Sequence, residues 1–296
     1  MGRSVAPFGR NDQRSEVLSS LGQALNHPVM SSHRRTRDGV ARLDPAGYDA
    51  CDWAWEFLRR NKDYIAEWRG SVPRRLPYIR LSDGTWLLRL RRRFPRAERW
   101  GLYAFADPAL CARQAPVFWH VDALKRVIRL NAQMRNGNEN TPPSTLADFK
   151  FNRTAVIGVD KVPLVLVKGA GVHVPLEIRG LPALTAPFAP VFELHGLGDL
   201  SAQIELLKRL KRFTEPGQRT IQTPPFASDE RLHHALIALD ESLGGKTYRQ
   251  IAITIFGEKK VAEEWHGHSQ FLKDRTRRLV AKGTELMKGG YRDLLS

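Results

Sequence analysis

Apolar residues recur at helical spacing in several stretches of the chain. Tyr48, Cys51, Trp55 and Leu58, with Trp53 and Phe57 beside them, predict a helix in which Asp44 caps and Pro45 takes the first position. Arg59-Arg60-Asn61 closes it, and a second short helix carries Tyr64, Ile65 and Trp68. This density of aromatics reads as a small core. Residues 122–134 also read as helical. Ile204, Leu207 and Leu210 mark a helix with Lys208, Arg209, Lys211 and Arg212 on its other side. Leu232, Leu236, Leu239 and Leu243 mark the next, with Ser228 as cap and Gly244-Gly245 as stop.

The pattern then tightens. Tyr248, Ile251, Ala252, Ile255 and Phe256 follow Thr247, a suitable N-cap, and Gly257 ends the run. After a turn with Trp265 as its core anchor, a longer helix is expected to begin near Ser269. Its inner stripe is Leu272, Thr276, Leu279, Val280, Gly283, Leu286 and Met287. A short helix, a turn and a long helix form the layout of a helix-turn-helix, and the preceding leucine-striped helix supplies its support.

Strand patterns occupy the middle. Residues 78–81 and 86–90 flank a Ser82-Asp83-Gly84 turn, and 100–105 and 117–119 are strand-like, with a short helix from Asp107-Pro108 to Ala112 between them. Residues 154–159, 164–168 and 172–178 are β-branched and apolar, with a hairpin turn at Lys168-Gly169-Ala170-Gly171. That turn lacks the spacing of a phosphate loop. The fold class predicted is α+β: an N-terminal helical and aromatic segment, a central β-rich region and a C-terminal helix-turn-helix-like part. The expected divisions are a basic extension over 1–43, an N-terminal domain over 44–135, a linker over 136–152, a β-rich part over 153–226 and the helix-turn-helix-like part over 227–296. The Asn-, Gly- and Pro-rich run at 136–144 sets the main boundary, and a Pro-rich stretch over 181–190 is read as loop.

Charge changes the picture. The 296 residues carry 47 Lys and Arg against 31 Asp and Glu, a net charge of +16. Such a surplus favours a polyanionic partner, nucleic acid first, although an anionic membrane or an acidic protein is served by the same charge. No apolar run is long enough to span a bilayer. Cys51 and Cys111 are far apart and form no metal or disulfide pattern, which fits a reducing cytoplasm.

The charge is also placed. On a helical wheel Arg277 and Arg278 point away from the inner stripe of the last long helix, while Lys273, Arg275 and Lys282 flank it; Asp274 is the one acid between Leu272 and Lys282. A lone charge run is ordinarily a solvated face; on the second helix of this layout it is a candidate DNA-binding surface, with Arg249 as a further contact. Arg89, Arg91, Arg92 and Arg93 belong to a second basic run, suited equally to phosphates and to a partner's carboxylates. Arg34, Arg35, Arg37 and Arg42 lie in the extension.

Candidate chemistry is sparse. His233 and His234 are adjacent on a helix and point in different directions, and His266 and His268 flank a glycine without a nearby cysteine. No nucleophile elbow, dinucleotide fingerprint or His-Glu-x-x-His run occurs. The expectation is a non-enzymatic protein with no cofactor and no bound metal.

Residues 245–252, Phe256-Gly257, Trp265, residues 273–280 and Gly289-Gly290-Tyr291-Arg292 together resemble the RovC-type DNA-binding domain family. Its members include a hexameric activator of type VI secretion genes and FseA-like excision activators of integrative and conjugative elements. Residues 54–61 with Tyr64, Trp100-Gly101-Leu102 and Phe118-Trp119 resemble the transcriptional-regulator-like domain preceding it in the FseA-like proteins. The resemblance implies a bacterial, cytoplasmic transcriptional activator of mobile-element excision and transfer or of secretion genes. Its implied partners are double-stranded DNA, RNA polymerase, an antiactivator protein and further copies of itself. Two other readings stay open: an adaptor whose arginines meet an acidic protein, and a nucleic-acid enzyme, which would need a metal-binding carboxylate cluster.

Overall fold

Asp49 starts the first helix, α1 (Ala50–Leu58), through a capping box: its carboxylate accepts from the Asp52 N–H at 3.0 Å, and the Asp52 carboxylate accepts from the Asp49 N–H at 3.3 Å. The helix therefore begins later than expected from Asp44 and Pro45, which lie outside the described residues. The computed structural model describes residues 48–71, 76–124, 126–134, 144–150, 152–169, 172–180, 182–214, 229–265 and 270–295. The extension over 1–43, most of the 136–152 stretch, Ser228, His266, His268 and Ser269 lie outside them.

After α1 come α2 (Lys62–Arg69), β1 (Tyr78–Arg80), β2 (Trp86–Arg89), α3 (Pro95–Glu98), β3 (Ile128–Gln133), β4 (Asn152–Ile157), β5 (Pro163–Gly169), β6 (Val172–Gly180), β7 (Ala189–Glu193) and α4 (Leu200–Arg212). The C-terminal helices are α5 (Asp229–Leu243), α6 (Tyr248–Phe256), α7 (Glu258–Glu264), α8 (Phe271–Glu285) and α9 (Tyr291–Leu294). The fold is α+β, with the strands central and the helices C-terminal.

The sheet has seven strands in the order β1-β2-β4-β5-β6-β3-β7. The β2–β4 and β3–β6 pairs are parallel; the other four are antiparallel. The β1–β2 and β5–β6 hairpins follow the predicted patterns, and the Gly169–Val172 pair closes the latter. Val165, Val167, Val174, Leu176 and Ile178 form the centre of the sheet's core, and α4 covers it with Leu206 and Leu210, followed by Phe213. Strands from both sides of the Asn- and Gly-rich stretch share this sheet, and Asp44–Ser296 forms one compact unit.

Three local expectations are corrected. The 122–134 stretch is not a helix: Ile128, Leu130 and Ala132 alternate inward from β3, a period of two that its charged residues obscured. The 100–105 and 117–119 stretches meet only in one antiparallel bridge, Leu102 with Trp119, with the Tyr103 N–H donating to the Phe118 carbonyl at 3.0 Å. Residues 107–112 form successive turns rather than a helix, because Glu56 takes the Ala112 N–H at 2.8 Å and draws that chain onto α1.

The aromatics of α1 and α2 do form a core. Trp53, Trp55, Phe57, Leu58 and Tyr64 are buried, and the Tyr64 ring packs edge-on against Trp55 at 5.7 Å and Trp100 at 5.6 Å. The Tyr64 hydroxyl donates to the Ala106 carbonyl at 2.8 Å and accepts from the Ala106 N–H at 3.1 Å.

Candidate nucleic-acid interface

Helix α6 is opened by a second capping box: the Gln250 carboxamide oxygen accepts from the Thr247 N–H at 2.9 Å, and the Thr247 hydroxyl accepts from the Gln250 N–H at 3.4 Å. Gly257, at φ 88°, ends it in a conformation glycine adopts freely. The connector to α8 is more than a turn. It carries the seven-residue helix α7, which Val261 anchors beside Trp265. Ala252, Val261, Trp265 and Leu272 form the small core of this region, with Ile253 and Phe256 packed against it.

Helix α8 turns Leu272, Thr276 and Gly283 inward, as the stripe predicts, and the Thr276 hydroxyl donates back to the Leu272 carbonyl at 2.8 Å. Its basic residues take the other sides. Arg275, Arg277, Arg278 and Lys282 are exposed, Lys273 is half-buried, and Arg249 is exposed near the start of α6. Three of them are seated on aromatic rings: Lys273 over Trp265 at 5.8 Å, Arg275 over Phe256 at 4.8 Å and Arg277 over Tyr248 at 6.0 Å. Asp274 lies 3.6 Å from Arg277, and Lys282 lies 3.1 Å from Glu285. Among the described residues Arg278 makes no ion pair. A ring beneath a cation limits the side chain's freedom without neutralising it, so the charges stay available to an outside anion. Tyr248 and Phe256 read from sequence only as members of an apolar stripe, yet both serve as platforms.

The second basic run is exposed as well. Arg89, Arg91, Arg92 and Arg93 face solvent, Arg92 lies over Phe94 at 5.5 Å, and Arg93 forms a paired contact with Glu98 at 2.9 and 2.5 Å. Arg93 is thus compensated within the molecule.

The N-terminal helices brace the far end of this region. The Asn61 side chain caps α2 and also donates to the Met287 carbonyl at 3.0 Å. That carbonyl lies two residues before Gly289, whose φ of 146° breaks the helical path. The buried Tyr291 hydroxyl donates to the Trp100 carbonyl at 2.9 Å, and its ring lies 5.8 Å from Trp119. Arg60 joins Asp240 of α5 to the fully buried Glu56 of α1. Burial alone would raise Glu56, but Arg59 and Arg60 together hold it below the usual carboxylate range. Trp53 donates to Asp229 at 3.1 Å. No spacing rule marks these residues in the sequence.

One cluster has the makings of a metal site. Asp49, Asp52 and His173 bring ligand atoms within 4.8 Å of one another. The Lys168 ammonium already lies 3.2 Å from Asp52, and Asp49 is engaged by the His173 ring at 3.3 Å. Burial would raise Asp49; the charge and hydrogen bond of His173, with the Asp52 N–H and Lys168, bring it down to about 2. These bonds tie the start of α1 to β5 and β6, and the Lys168 ammonium already faces Asp52.

The exposed cations of α8 form a basic surface on the side away from its buried apolar stripe. Residues 193–296 match a family model described as the DNA-binding domain of a T6SS transcription factor. This RovC-type match begins at the end of β7 and takes in α4 through α9. No curated protein matches the chain. Among the described residues no helix is long and apolar enough to cross a membrane.

Proposed function

We propose that the protein is a DNA-binding transcriptional regulator in which α6 and α8, with α7 between them, act as a helix-turn-helix-like unit and α8 enters the major groove. Arg277 and Arg278 lead the contact, and Lys273, Arg275, Lys282 and Arg249 support it. The observation that carries this reading is the set of cations seated on rings, Arg275 and Arg277 exposed and Lys273 half-buried, on a helix whose opposite side is buried, within a stretch that matches a DNA-binding domain. Arg89, Arg91 and Arg92 supply additional backbone contacts.

In this reading the protein is a cytoplasmic activator without catalytic activity, acting on mobile-element excision and transfer genes or on secretion genes. RNA polymerase, an antiactivator and further copies of the chain are its proposed protein partners. Retention of the full chain on duplex DNA at physiological salt tests the reading. Its affinity should fall steeply with salt, by close to one logarithmic unit per logarithmic unit for each phosphate neutralised. Absence of retention favours the adaptor alternative, and magnesium-dependent cleavage of the duplex favours the enzyme.

A further inference from the structure

The buried carboxamide of Asn61 works in two directions. Its oxygen accepts from the Asp63 and Tyr64 N–H groups at 2.8 and 3.2 Å and so caps α2, while its nitrogen donates to the Met287 carbonyl, just past the end of α8, at 3.0 Å. Donors on one side and an acceptor on the other fix the orientation of the amide. Two more bonds follow along the same seam, from the Tyr291 hydroxyl to the Trp100 carbonyl at 2.9 Å and from the Arg292 guanidinium to the Arg99 carbonyl at 2.6 Å. Gly283 lies against the Ala235 backbone of α5, which sets the roll of α8 about its own axis. Its tilt needs a second anchor. With Gly283 as pivot, Met287 lies about 6 Å along the helix and Lys273 about 15 Å back, so a shift at the Asn61 link is more than doubled at the basic end. Phosphate contacts are charge-driven and tolerate such a shift; hydrogen bonds to base edges do not.

We propose that Asn61 is a positioning residue for DNA recognition. By fixing the end of α8 to the N-terminal helices it sets the angle at which the basic side of α8 enters the groove. Sequence discrimination therefore depends on a buried side chain that touches no DNA. The proposal rests on the DNA-binding reading above.

The test uses the full chain to enrich duplexes from a random-sequence library, then compares affinity for the enriched duplex with affinity for an unrelated duplex of equal length. Asn61→Asp keeps a good cap for α2 but sets an oxygen against the Met287 carbonyl. It should lower the ratio of the two affinities about tenfold, the scale of one lost base contact, and leave affinity for the unrelated duplex within about twofold. A role in stability alone lowers the folded fraction, which weakens both duplexes by one factor and leaves the ratio unchanged. Tyr291→Phe removes one hydroxyl from the same seam and should lower the ratio in the same direction; it decides the question where circular dichroism shows that Asn61→Asp does not fold. An unchanged ratio in the folded variant overturns the proposal, and so does a native chain that retains duplex DNA but enriches no sequence. Absence of any retention overturns the DNA-binding reading and this assignment with it.

Discussion

A Cβ placed on Gly283 would stand 2.5 Å from the carbonyl oxygen of Ala235. Helix α8 therefore lies on α5 with no room for a side chain at this position, and the Leu239 Cβ, at 2.9 Å, closes the other side. The close approach fixes which side of α8 is inner and so which side presents its arginines.

Gly283→Ala should lower stability by about 1–3 kcal/mol through overpacking, although alanine favours an isolated helix by roughly 1 kcal/mol. Urea denaturation of the two proteins checks it. An unchanged or raised midpoint would mean that α8 and α5 are not in backbone contact.

Arg60→Met should destabilise the protein by roughly 3 kcal/mol, because it leaves Asp240 without its guanidinium and the buried Glu56 held by Arg59 and the Ala112 N–H. The same denaturation experiment reads it, and a loss below about 0.5 kcal/mol, the scale of an exposed pair, would show that the pair is solvated.

These two contacts differ in how legible they were. The inner stripe of α8 repeats at helical spacing, so Leu272, Thr276 and Gly283 announce their side and the arginines follow by geometry. The brace from the N-terminal helices leaves no such trace: Asn61 binds a carbonyl 226 residues away, and no periodicity links them. Helix α7 was hidden because Val261 is its one buried residue, too few to make a stripe. In β3, Arg129 and Asn131 on the less buried side mask the alternation of Ile128, Leu130 and Ala132 in the sequence.

Acidification should destabilise the seam between α5 and α6. Burial lowers the pKa of His234, Glu230 opposes it, and the neighbours His233 and Arg275 lower it further. The ring lies 6.0 Å from Phe256, the platform of Arg275. A depressed folded value means that the stabilising contribution is present above the unfolded value of about 6.5 and is lost as pH falls through the folded one. Thermal unfolding between pH 7.5 and about 5 should show a decline that His234→Gln reduces. Identical profiles for the two proteins would contradict this.

Tyr248→Ala should weaken DNA binding by about 0.5–1 kcal/mol, the value of an exposed cation–ring contact, by releasing Arg277 from its platform. Tyr248 is itself 47% exposed, so stability should change little. A melting temperature that falls together with the affinity would assign Tyr248 to the core instead.

The central claim is that the outward side of α8 meets duplex DNA, and replacing Arg277 and Arg278 together by alanine tests it most directly. Both side chains are exposed, so the double variant should melt like the native chain. In a mobility-shift titration at physiological salt it should lose at least about 2 kcal/mol of binding free energy, with a shallower salt dependence. A correctly folded double variant that binds duplex DNA as tightly as the native chain would contradict the account.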